Sequence, residues 1–511
     1  VKVRIRFRPS GLGDQLLAPG KAGPSAAGIG RIAAKSAANP NQMAGWASRP
    51  APAKKAKSGV WPDTLPYKIL IEEEGIYKIG YYDLLQAGLN PGWFDPRSYK
   101  LFNQGREVPI YFKGQADGMF DPDDYFEFYG QRLKGDSSYY HPYSRDNVYW
   151  LGTGGGFGAR MIEEDGSPVN QNYVLPGSCR YKIHLEKDSL FCRLNSVYSD
   201  QTDRWFWRRI DESDSMVYNF VLPGHDSGAA DSVDLTLSLH GYTALLPDTF
   251  NDHWAIITLN GKSVENNLRW DGQSPNIFRT KLDPSDLSDG QNRLALKHGP
   301  LDSIDSYFFN WMEVEYSRRY AADGGALAFK APSQGSDSLF RYEINGFENQ
   351  SIDLYKLGVS KITGTVVERN PDGVTYRLTF DDRASAQTGY YAVQNDDQHK
   401  LKPKSIVANH IPAQALTDPS QAAQYLIITT EEFLAPAARL AAIRGTQFNG
   451  SKVVLASDIY DAFNYGIPAD RPIKDFLRQA FMTWQVPPAY VLLFGGGSWD
   501  PRNMSGNSAS D

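Results

Sequence analysis

The stretch Tyr490-Val-Leu-Leu-Phe-Gly-Gly-Gly-Ser-Trp-Asp500 decides the fold of the last part of this chain. Its first five residues form a near-continuous apolar run, which is typical of a strand in a sheet covered on both faces. The three glycines that follow allow the backbone to turn sharply where the strand ends. Because open α/β sheets bind ligands at the carboxyl ends of their strands, we expect a functional site at this turn.

The residues ahead of that strand predict parallel β-α-β units. Residues 425–429 and 452–455 are predicted as buried strands, and residues 436–444 as a helix with Leu440 and Ile443 facing inward. Asp470 is expected to cap a second helix. The apolar residues of that helix share one face at helical spacing: Ile473, Phe476, Leu477, Ala480, Phe481 and Trp484. Strand, helix, strand, helix and strand in this order favour right-handed parallel units.

The rest of the chain is expected to be rich in strands. It has 46 glycines, 31 prolines and 13% aromatic residues, a composition that favours short strands joined by many turns. Residues 68–71 and 76–79 predict a hairpin, and residues 83–88 a short helix that ends at a glycine. Repeated strand signals from 181 to 320 predict a jelly-roll-like sandwich. In a later segment, Val374, Tyr376, Leu378 and Phe380 are predicted to share one strand face.

A chain of 511 residues is too long for one hydrophobic core, so we expect a multidomain protein. It combines β-rich N-terminal modules with the start of an α/β domain. The predicted segments are a linker-like segment at 1–60, a small β-rich module at 61–165, a jelly-roll-like β-sandwich at 178–322, an additional β segment at 323–415 and the first part of an α/β domain at 424–511. Since the chain begins with Val1, we expect a fragment open at both ends.

Charge and composition exclude several classes of function. A net charge of -6 gives no reason to expect nucleic acid as a partner. No apolar run approaches the roughly 18 residues of a transmembrane helix. The two cysteines, Cys179 and Cys192, are too sparse for a disulfide scaffold, although they could form one bridge. Four aspartates lack the residue order of a calcium loop and predict an acidic turn, so neither a metal nor a cofactor is expected: Asp117, Asp121, Asp123 and Asp124.

Several motifs occur in an order that is similar to one family of peptidases. They are Gly75-Ile-Tyr-Lys-Ile79, Asn103-Gln-Gly-Arg-Glu-Val-Pro-Ile110, Asp124-Tyr-Phe-Glu-Phe-Tyr-Gly130, Trp311-Met-Glu-Val-Glu-Tyr316, Tyr425-Leu-Ile-Ile-Thr429, Asp458-Ile-Tyr460, Ile473-Lys-Asp-Phe-Leu477 and the glycine-turn stretch quoted above. From about Tyr67 onward the chain resembles the gingipain-type cysteine peptidases of the C25 family. The resemblance is closest to members of type IX secretion that carry long β-rich regions ahead of the catalytic domain.

The resemblance implies proteolysis of a protein or peptide substrate by a Cys–His pair, outside the cell or at its surface. In the family, the histidine and the cysteine both follow the strand that ends here at Phe494. Both cysteines and all eight histidines of this chain precede Tyr425, so we expect no catalytic residue in it and no activity of its own. Asp500 matches a family aspartate near the substrate pocket, or else it is a turn residue before Pro501. Gly496 stands where the family commonly has Asp.

A non-enzymatic alternative also fits the sequence. Sheets of sandwich folds often bind sugars through exposed aromatic side chains, and Trp205, Trp207, Trp254 and Trp270 are available for glycan contact. They could equally be core or domain-interface residues. In this alternative the chain is a binding or structural module with a degenerate peptidase-like domain. A His-Gly motif and a later cysteine in the sequence that follows would favour the peptidase.

Overall fold

The computed structural model describes residues 66–504 with the exception of 137, 193–202, 213, 245–250, 301–303, 333–337, 387, 410–413 and 499. The segment 1–60, predicted as a linker, lies outside the described residues. Within the described part, the chain forms thirty strands and five α-helices. No helix in this part is both long and apolar enough to cross a membrane.

The strands are numbered in chain order. The first group is β1 Tyr67–Ile71, β2 Gly75–Gly80, β3 Lys100–Asn103, β4 Arg106–Val108, β5 Tyr111–Lys113, β6 Tyr125–Gly130, β7 Asn147–Gly152 and β8 Ile162–Asp165. The second is β9 Ser178–Glu186, β10 Leu190–Phe191, β11 Trp205–Phe206, β12 Arg208–Asp211, β13 Ser215–Leu222, β14 Val233–Gly241, β15 His253–Leu259, β16 Lys262–Trp270, β17 Pro275–Leu282, β18 Gly290–His298 and β19 Ser306–Arg319. The third is β20 Ala326–Lys330, β21 Ser338–Phe347, β22 Ile352–Lys356, β23 Ser360–Thr363, β24 Val366–Arg369, β25 Tyr376–Ala384, β26 Gly389–Gln394, β27 Ser405–Ala408, β28 Tyr425–Thr429, β29 Ser451–Leu455 and β30 Tyr490–Phe494. The helices are α1 Tyr81–Gln86, α2 Gln414–Thr417, α3 Leu434–Gly445, α4 Ala456–Asn464 and α5 Asp470–Thr483.

The first strands form two antiparallel sheets around an aromatic core. One has the order β27-β1-β7-β3-β4 and the other β2-β6-β5. The predicted hairpin of residues 68–71 and 76–79 is wrong, because β1 pairs with β7 and β27 whereas β2 pairs with β6. These distant partners bury Ile69, Ile71, Ile76 and Ile79 completely. Tertiary burial therefore outweighs the local pairing that a short turn favours.

The central strands form a sandwich of two antiparallel sheets. One has the order β12-β19-β14-β17, with β9 also paired to β19, and the other β13-β18-β15-β16. Alternate residues of both sheets meet in one core, such as Leu235 and Leu237 of the first sheet and Ile257 and Leu296 of the second. An Asn260-Gly261 turn joins β15 to β16, and both of its residues have positive φ.

The next strands form a third β-rich region with the sheet orders β20-β26-β22-β23-β8 and β21-β25-β24. Leu378 and Phe380 of β25 are fully buried, as predicted for one strand face. The prediction is wrong for Val374, which is 70% exposed and precedes the strand. Asp372 accepts hydrogen bonds from the amides of Val374 and Thr375, and this turn directs Val374 toward solvent.

A cluster of buried charges joins the first and third β-rich regions. Glu127 of β6 and Lys400 are 0% and 1% exposed in their side chains, and the two are in direct contact. Lys400 also contacts Asp353 of β22, and Lys361 of β23 lies 2.9 Å from Asp353 and 3.3 Å from Glu127. The hydroxyl of Tyr355 donates to Glu127 at 2.6 Å. Two ammonium groups thus balance two carboxylates in a largely buried site.

The chain then changes to a parallel sheet with the order β29-β28-β30. Helix α3 packs on one face of this sheet, and helices α4 and α5 pack on the other. The strand and helix order predicted for this segment is confirmed, but α4 was not predicted. The prediction is wrong for Ile443, which is 59% exposed, because α3 turns Ala437 and Ala441 toward the sheet instead.

Two further details of this segment differ from the sequence predictions. Helix α5 begins at Asp470 and its N-cap residue is Ala469, so Asp470 lies in the first turn. Phe476 and Ala480 of α5 and Trp484 directly after it are buried as predicted, whereas Phe481 is exposed because it lies one residue, or about 100° of helix rotation, beyond Ala480.

Strand β30 is less buried than its apolar sequence predicts. It lies at the edge of the described sheet, and Tyr490, Val491 and Leu493 are 43%, 44% and 64% exposed. Leu492 and Phe494 point to the side opposite Val491 and Leu493, where they pack against the cluster around α3. An apolar run identifies the strand but does not show which of its faces are covered.

The loop after α4 docks on the first β-rich region. Lys68 of β1 and Asp461 of α4 form an ion pair of 2.8 Å. The indole N–H of Trp150 donates to the carbonyl of Tyr465 at 2.8 Å, and Ile467 packs in the same cluster as Trp150. The fold is therefore a multidomain, β-rich architecture followed by a parallel α/β unit, as predicted.

Candidate functional site

The strongest candidate site lies where β28 and β30 end. Thr429 and Phe494 are register partners in these parallel neighbours, and the Thr429 hydroxyl donates to the Phe494 carbonyl at 2.8 Å. The chain leaves β28 toward one face of the sheet and reaches β30 from the other face. Open α/β sheets bind ligands in the crevice outside the carboxyl ends of their strands. The position expected from the sequence is thus the carboxyl edge of the parallel sheet, where β28 and β30 end side by side.

Two short segments form the walls of this crevice. Glu431–Phe433 follows β28 as a single 3-10 turn, and Gly495 begins the turn that follows β30. Gly495 has φ 153°, and a Cβ atom added there would lie 3.7 Å from the ring of Phe433. Glu431 and Glu432 are both exposed at this edge. These two carboxylates were not predicted from the sequence, although their position directly after a buried strand was a usable signal.

Asp500 is half-buried in a turn beyond the glycines. Its amide donates to the Ser498 hydroxyl at 3.0 Å, and its carboxylate accepts the amide of Met504 at 2.7 Å. Its carbonyl accepts the amide of Asn503 at 3.1 Å. These contacts are those of an aspartate that organises a turn, which is one of the two roles expected from the sequence. The carboxylate that could bind a substrate therefore also holds its own turn together.

Neither cysteine is close to this edge in the chain, and both are free. Cys179 lies in β9, and burial raises the pKa of its thiol to about 11. Burial also raises the pKa of Cys192. A reactive cysteine needs a stabilised thiolate, so these thiols have the wrong environment for a nucleophile. No cysteine or histidine occurs between 418 and 504.

The remaining described histidines make structural contacts. His253 and His298 both bind Asp305 inside the sandwich, at 2.7 and 2.8 Å. His184 lies between Glu186 and Glu313 on the face of β9. His410 lies outside the described residues. Among the residues that the structure describes, no group of three or more His, Cys, Asp or Glu side chains is arranged to hold a metal ion.

None of the four tryptophans considered for glycan contact is exposed. Trp270 is buried in the sandwich core. Trp207 packs against Tyr218, and the guanidinium of Arg269 covers the ring of Trp254 at 3.9 Å. Trp205 is half-buried against Phe191. A sugar platform needs several exposed rings on one face, and these four do not form one.

Comparisons with known proteins found one family model and several solved structures that match this chain. Residues 418–509 match the sequence profile described as "Peptidase family C25". The fold is similar to the crystal structure of dimeric latent PorU from Porphyromonas gingivalis, with a TM-score of 0.59 and 16% identity. The match covers 86% of this chain and 42% of PorU, so the chain spans less than half the length of that protein.

Two carbohydrate-binding modules also match part of the chain. One is the CBM36-1 domain of a multidomain xylanase from the hindgut metagenome of Trinervitermes trinervoides, at 10% identity over 26% of this chain and 96% of that one. The other is a family 35 module from Clostridium thermocellum, at 14% identity over 26% and 97%. Their TM-scores of 0.18 and 0.19 are too low to support an argument. No curated protein matches the chain.

Proposed function

We propose that this chain, whose residues 418–509 match peptidase family C25, is part of a gingipain-like cysteine endopeptidase that acts outside the cell or at its surface. The observation that carries the proposal is the position of the match. It covers the parallel sheet whose strand ends form the crevice at Thr429 and Phe494. The β-rich region ahead of it is similar in fold to PorU, which supports a similar domain order.

The proposed chemistry needs a thiolate that attacks the scissile carbonyl and a histidine that takes the thiol proton. Because residues 418–504 contain neither type, we propose that both come from sequence that follows this chain. The turn from Gly495 to Asp500 would form one wall of the substrate pocket. In this role the Asp500 carboxylate would help to place a cationic side chain of a protein or peptide substrate.

The test compares this chain with the full-length gene product. We expect the 511-residue chain to hydrolyse no arginyl or lysyl ester and to form no adduct with a peptidyl chloromethyl ketone. The full-length protein should do both, at one cysteine beyond residue 511. As a control, iodoacetamide in urea should label Cys179 and Cys192, which shows that both thiols are intact.

Two results would contradict the proposal. One is turnover by the 511-residue chain with specific labelling of Cys179 or Cys192. The other is a full-length protein with no reactive cysteine, which would favour a degenerate peptidase-like domain in a binding or structural module.

A further inference from the structure

The sandwich has one outer strand that lacks the usual protection of a sheet edge. Strand β13, with the sequence Ser215-Met-Val-Tyr-Asn-Phe-Val-Leu222, is the outermost strand of the sheet β13-β18-β15-β16. It contains no charged residue and no proline, and its pairing with β18 runs without a bulge. Free strand edges are usually blocked by charges, prolines or bulges, because their open hydrogen-bonding groups attract other strands.

The other outer strands of the sandwich are blocked in one of these ways. Strand β17 begins at Pro275 and carries Arg279 and Lys281. The pairing of β16 with β15 shifts register twice. Strands β9 and β12, which both pair with β19, carry charged residues such as Arg180 and Arg208. Strand β13 is therefore the exception among the described outer strands of this sandwich.

The backbone of β13 directs a row of polar groups to the open edge. Asn219 pairs with Arg293 of β18. The Arg293 amide donates to the Asn260 side chain and the Arg293 carbonyl accepts the Asn260 amide, so both groups point away from β13. In an antiparallel ladder, two opposite residues exchange both hydrogen bonds or neither. The amide and carbonyl of Asn219 therefore face the open edge, and since the pattern repeats every second residue, those of Val217 and Val221 do so as well.

The side chains along this edge are apolar and exposed on the outer face. Val217 and Val221 are 45% and 48% exposed, whereas Phe220 and Leu222 point inward to the sandwich core. Within the described part of the chain, no backbone hydrogen bond reaches Val217 or Val221 from the open side. A flat edge with exposed β-branched side chains is a favourable template for a further strand.

The order of residues in β13 indicates that this further strand is β13 of a second copy. The residue types are symmetrical about Asn219, in the pairs Tyr218 and Phe220, Val217 and Val221, and Met216 and Leu222. A two-fold axis at Asn219 places each residue of one antiparallel strand opposite its counterpart in the other copy. Each exposed valine then packs against a valine of the second copy, and the opposite residues that face the edge exchange both of their hydrogen bonds.

We propose that β13 is a self-association edge, at which two copies of this chain pair antiparallel about Asn219 so that two four-stranded sheets join into one. The interface is isologous, because the same surface of both copies forms it. The proposal concerns assembly and does not depend on peptidase activity, so it can fail or hold separately from the proposed function.

The first test is position-specific disulfide formation in the 511-residue chain carrying Cys192→Ser, which removes the half-buried native thiol. Asn219→Cys places two thiols on the two-fold axis. Opposite residues that exchange hydrogen bonds have Cα atoms about 5.5 Å apart, which is within the range of a disulfide. We expect oxidation by copper phenanthroline to convert most of this variant to a dimer on non-reducing gels.

Val217→Cys is the matched control for this cross-link. Its counterpart in the second copy is position 221, so its own two thiols lie four residues apart along the strands, roughly 14 Å, and should not join. The double variant Val217→Cys with Val221→Cys places thiols opposite each other again and should cross-link. This pattern distinguishes the proposed register from random collision.

The second test measures association by sedimentation equilibrium. Val217→Lys places ammonium groups beside the paired valines, and we expect the dissociation constant of the dimer to rise at least about tenfold. Leu493→Lys is the control, because Leu493 is an exposed apolar residue of a different edge strand, β30, and should leave the constant unchanged. An unchanged urea midpoint shows that each variant is folded.

Three results would overturn the proposal. One is equal cross-linking of Asn219→Cys and Val217→Cys. Another is a dimer that Leu493→Lys abolishes and Val217→Lys does not. The third is a chain that stays monomeric at about 100 µM, where a specific dimer should form; the open edge would then be assigned to a strand of another protein.

Discussion

Replacing Lys400 by Met should destabilise the junction between the first and third β-rich regions more than any surface charge does. In the wild type, the ammonium groups of Lys400 and Lys361 face the carboxylates of Glu127 and Asp353. Burial alone would raise the pKa of Asp353, but the charges of Lys361 and Lys400 outweigh it and lower the pKa. The variant leaves two carboxylates with one ammonium group.

The expected cost follows from this imbalance. Removing one partner of a buried ion pair typically costs 3–5 kcal/mol, since the other charge stays buried. Lys361 still reaches both carboxylates, so we take the lower end, about 3 kcal/mol. For a cooperative unit whose urea dependence is about 3 kcal/mol per molar, the unfolding midpoint should fall by about 1 M. The double variant Lys400→Met with Glu127→Gln restores the charge balance and should recover much of this loss.

The measurement is urea unfolding of the 511-residue chain, followed by pulse proteolysis so that the affected region is identified. The matched control is Lys402→Met, because Lys402 is 49% exposed and forms a surface ion pair of 2.8 Å with Asp83. Surface pairs contribute about 0–1 kcal/mol, so this midpoint should hardly move. The reasoning would be refuted if the two single variants cost the same, or if the double variant were no more stable than Lys400→Met.

Three further variants test other parts of the fold by the same urea assay. Phe476→Ala should cost about 3–5 kcal/mol, because the ring is fully buried between the parallel sheet and its helices. Leu493→Ser should change stability by less than about 0.5 kcal/mol, since this strand residue is largely exposed; a loss above 2 kcal/mol would show that it is covered. Trp150→Phe leaves the Tyr465 carbonyl without its indole donor and should lower stability by about 1–3 kcal/mol. Proteolysis near residue 465 should then begin at a lower urea concentration. An unchanged unfolding midpoint would mean that this contact does not hold the α/β unit in place.

The local sequence pattern was sufficient to predict much of the α/β unit. The predicted strands at 425–429 and 490–494 have the observed bounds, because apolar runs and the glycine turn are local signals. The exposure of Leu493 could not be predicted, since it depends on which strand lies next to β30. The position of Ile443 was missed because two small alanines, which carry a weak hydrophobic signal, form the buried face of α3.

The candidate site, like the α/β unit, could be predicted from the sequence only in part. Its place at the end of β30 followed from the sequence, whereas the position of Glu431 beside that end and the ion pair between Arg502 and Asp188 required the fold. Asp188 lies 314 positions before Arg502 in the chain, and no periodicity or motif connects the two. The hairpin at 68–71 and 76–79 failed for a related reason, since the true partners of both strands come from later in the sequence.

The return of β27 to the first sheet has a consequence for synthesis of the protein. Tyr67 pairs with Ala408, so one edge of β1 stays unpaired until the ribosome has added 341 further residues. At about 5–20 residues per second, this delay amounts to roughly 17–70 seconds. During that time the hydrogen-bonding groups of β1 on that side are open to pairing with other chains. The first sheet therefore cannot be completed on the ribosome before the sandwich and the third region have been translated.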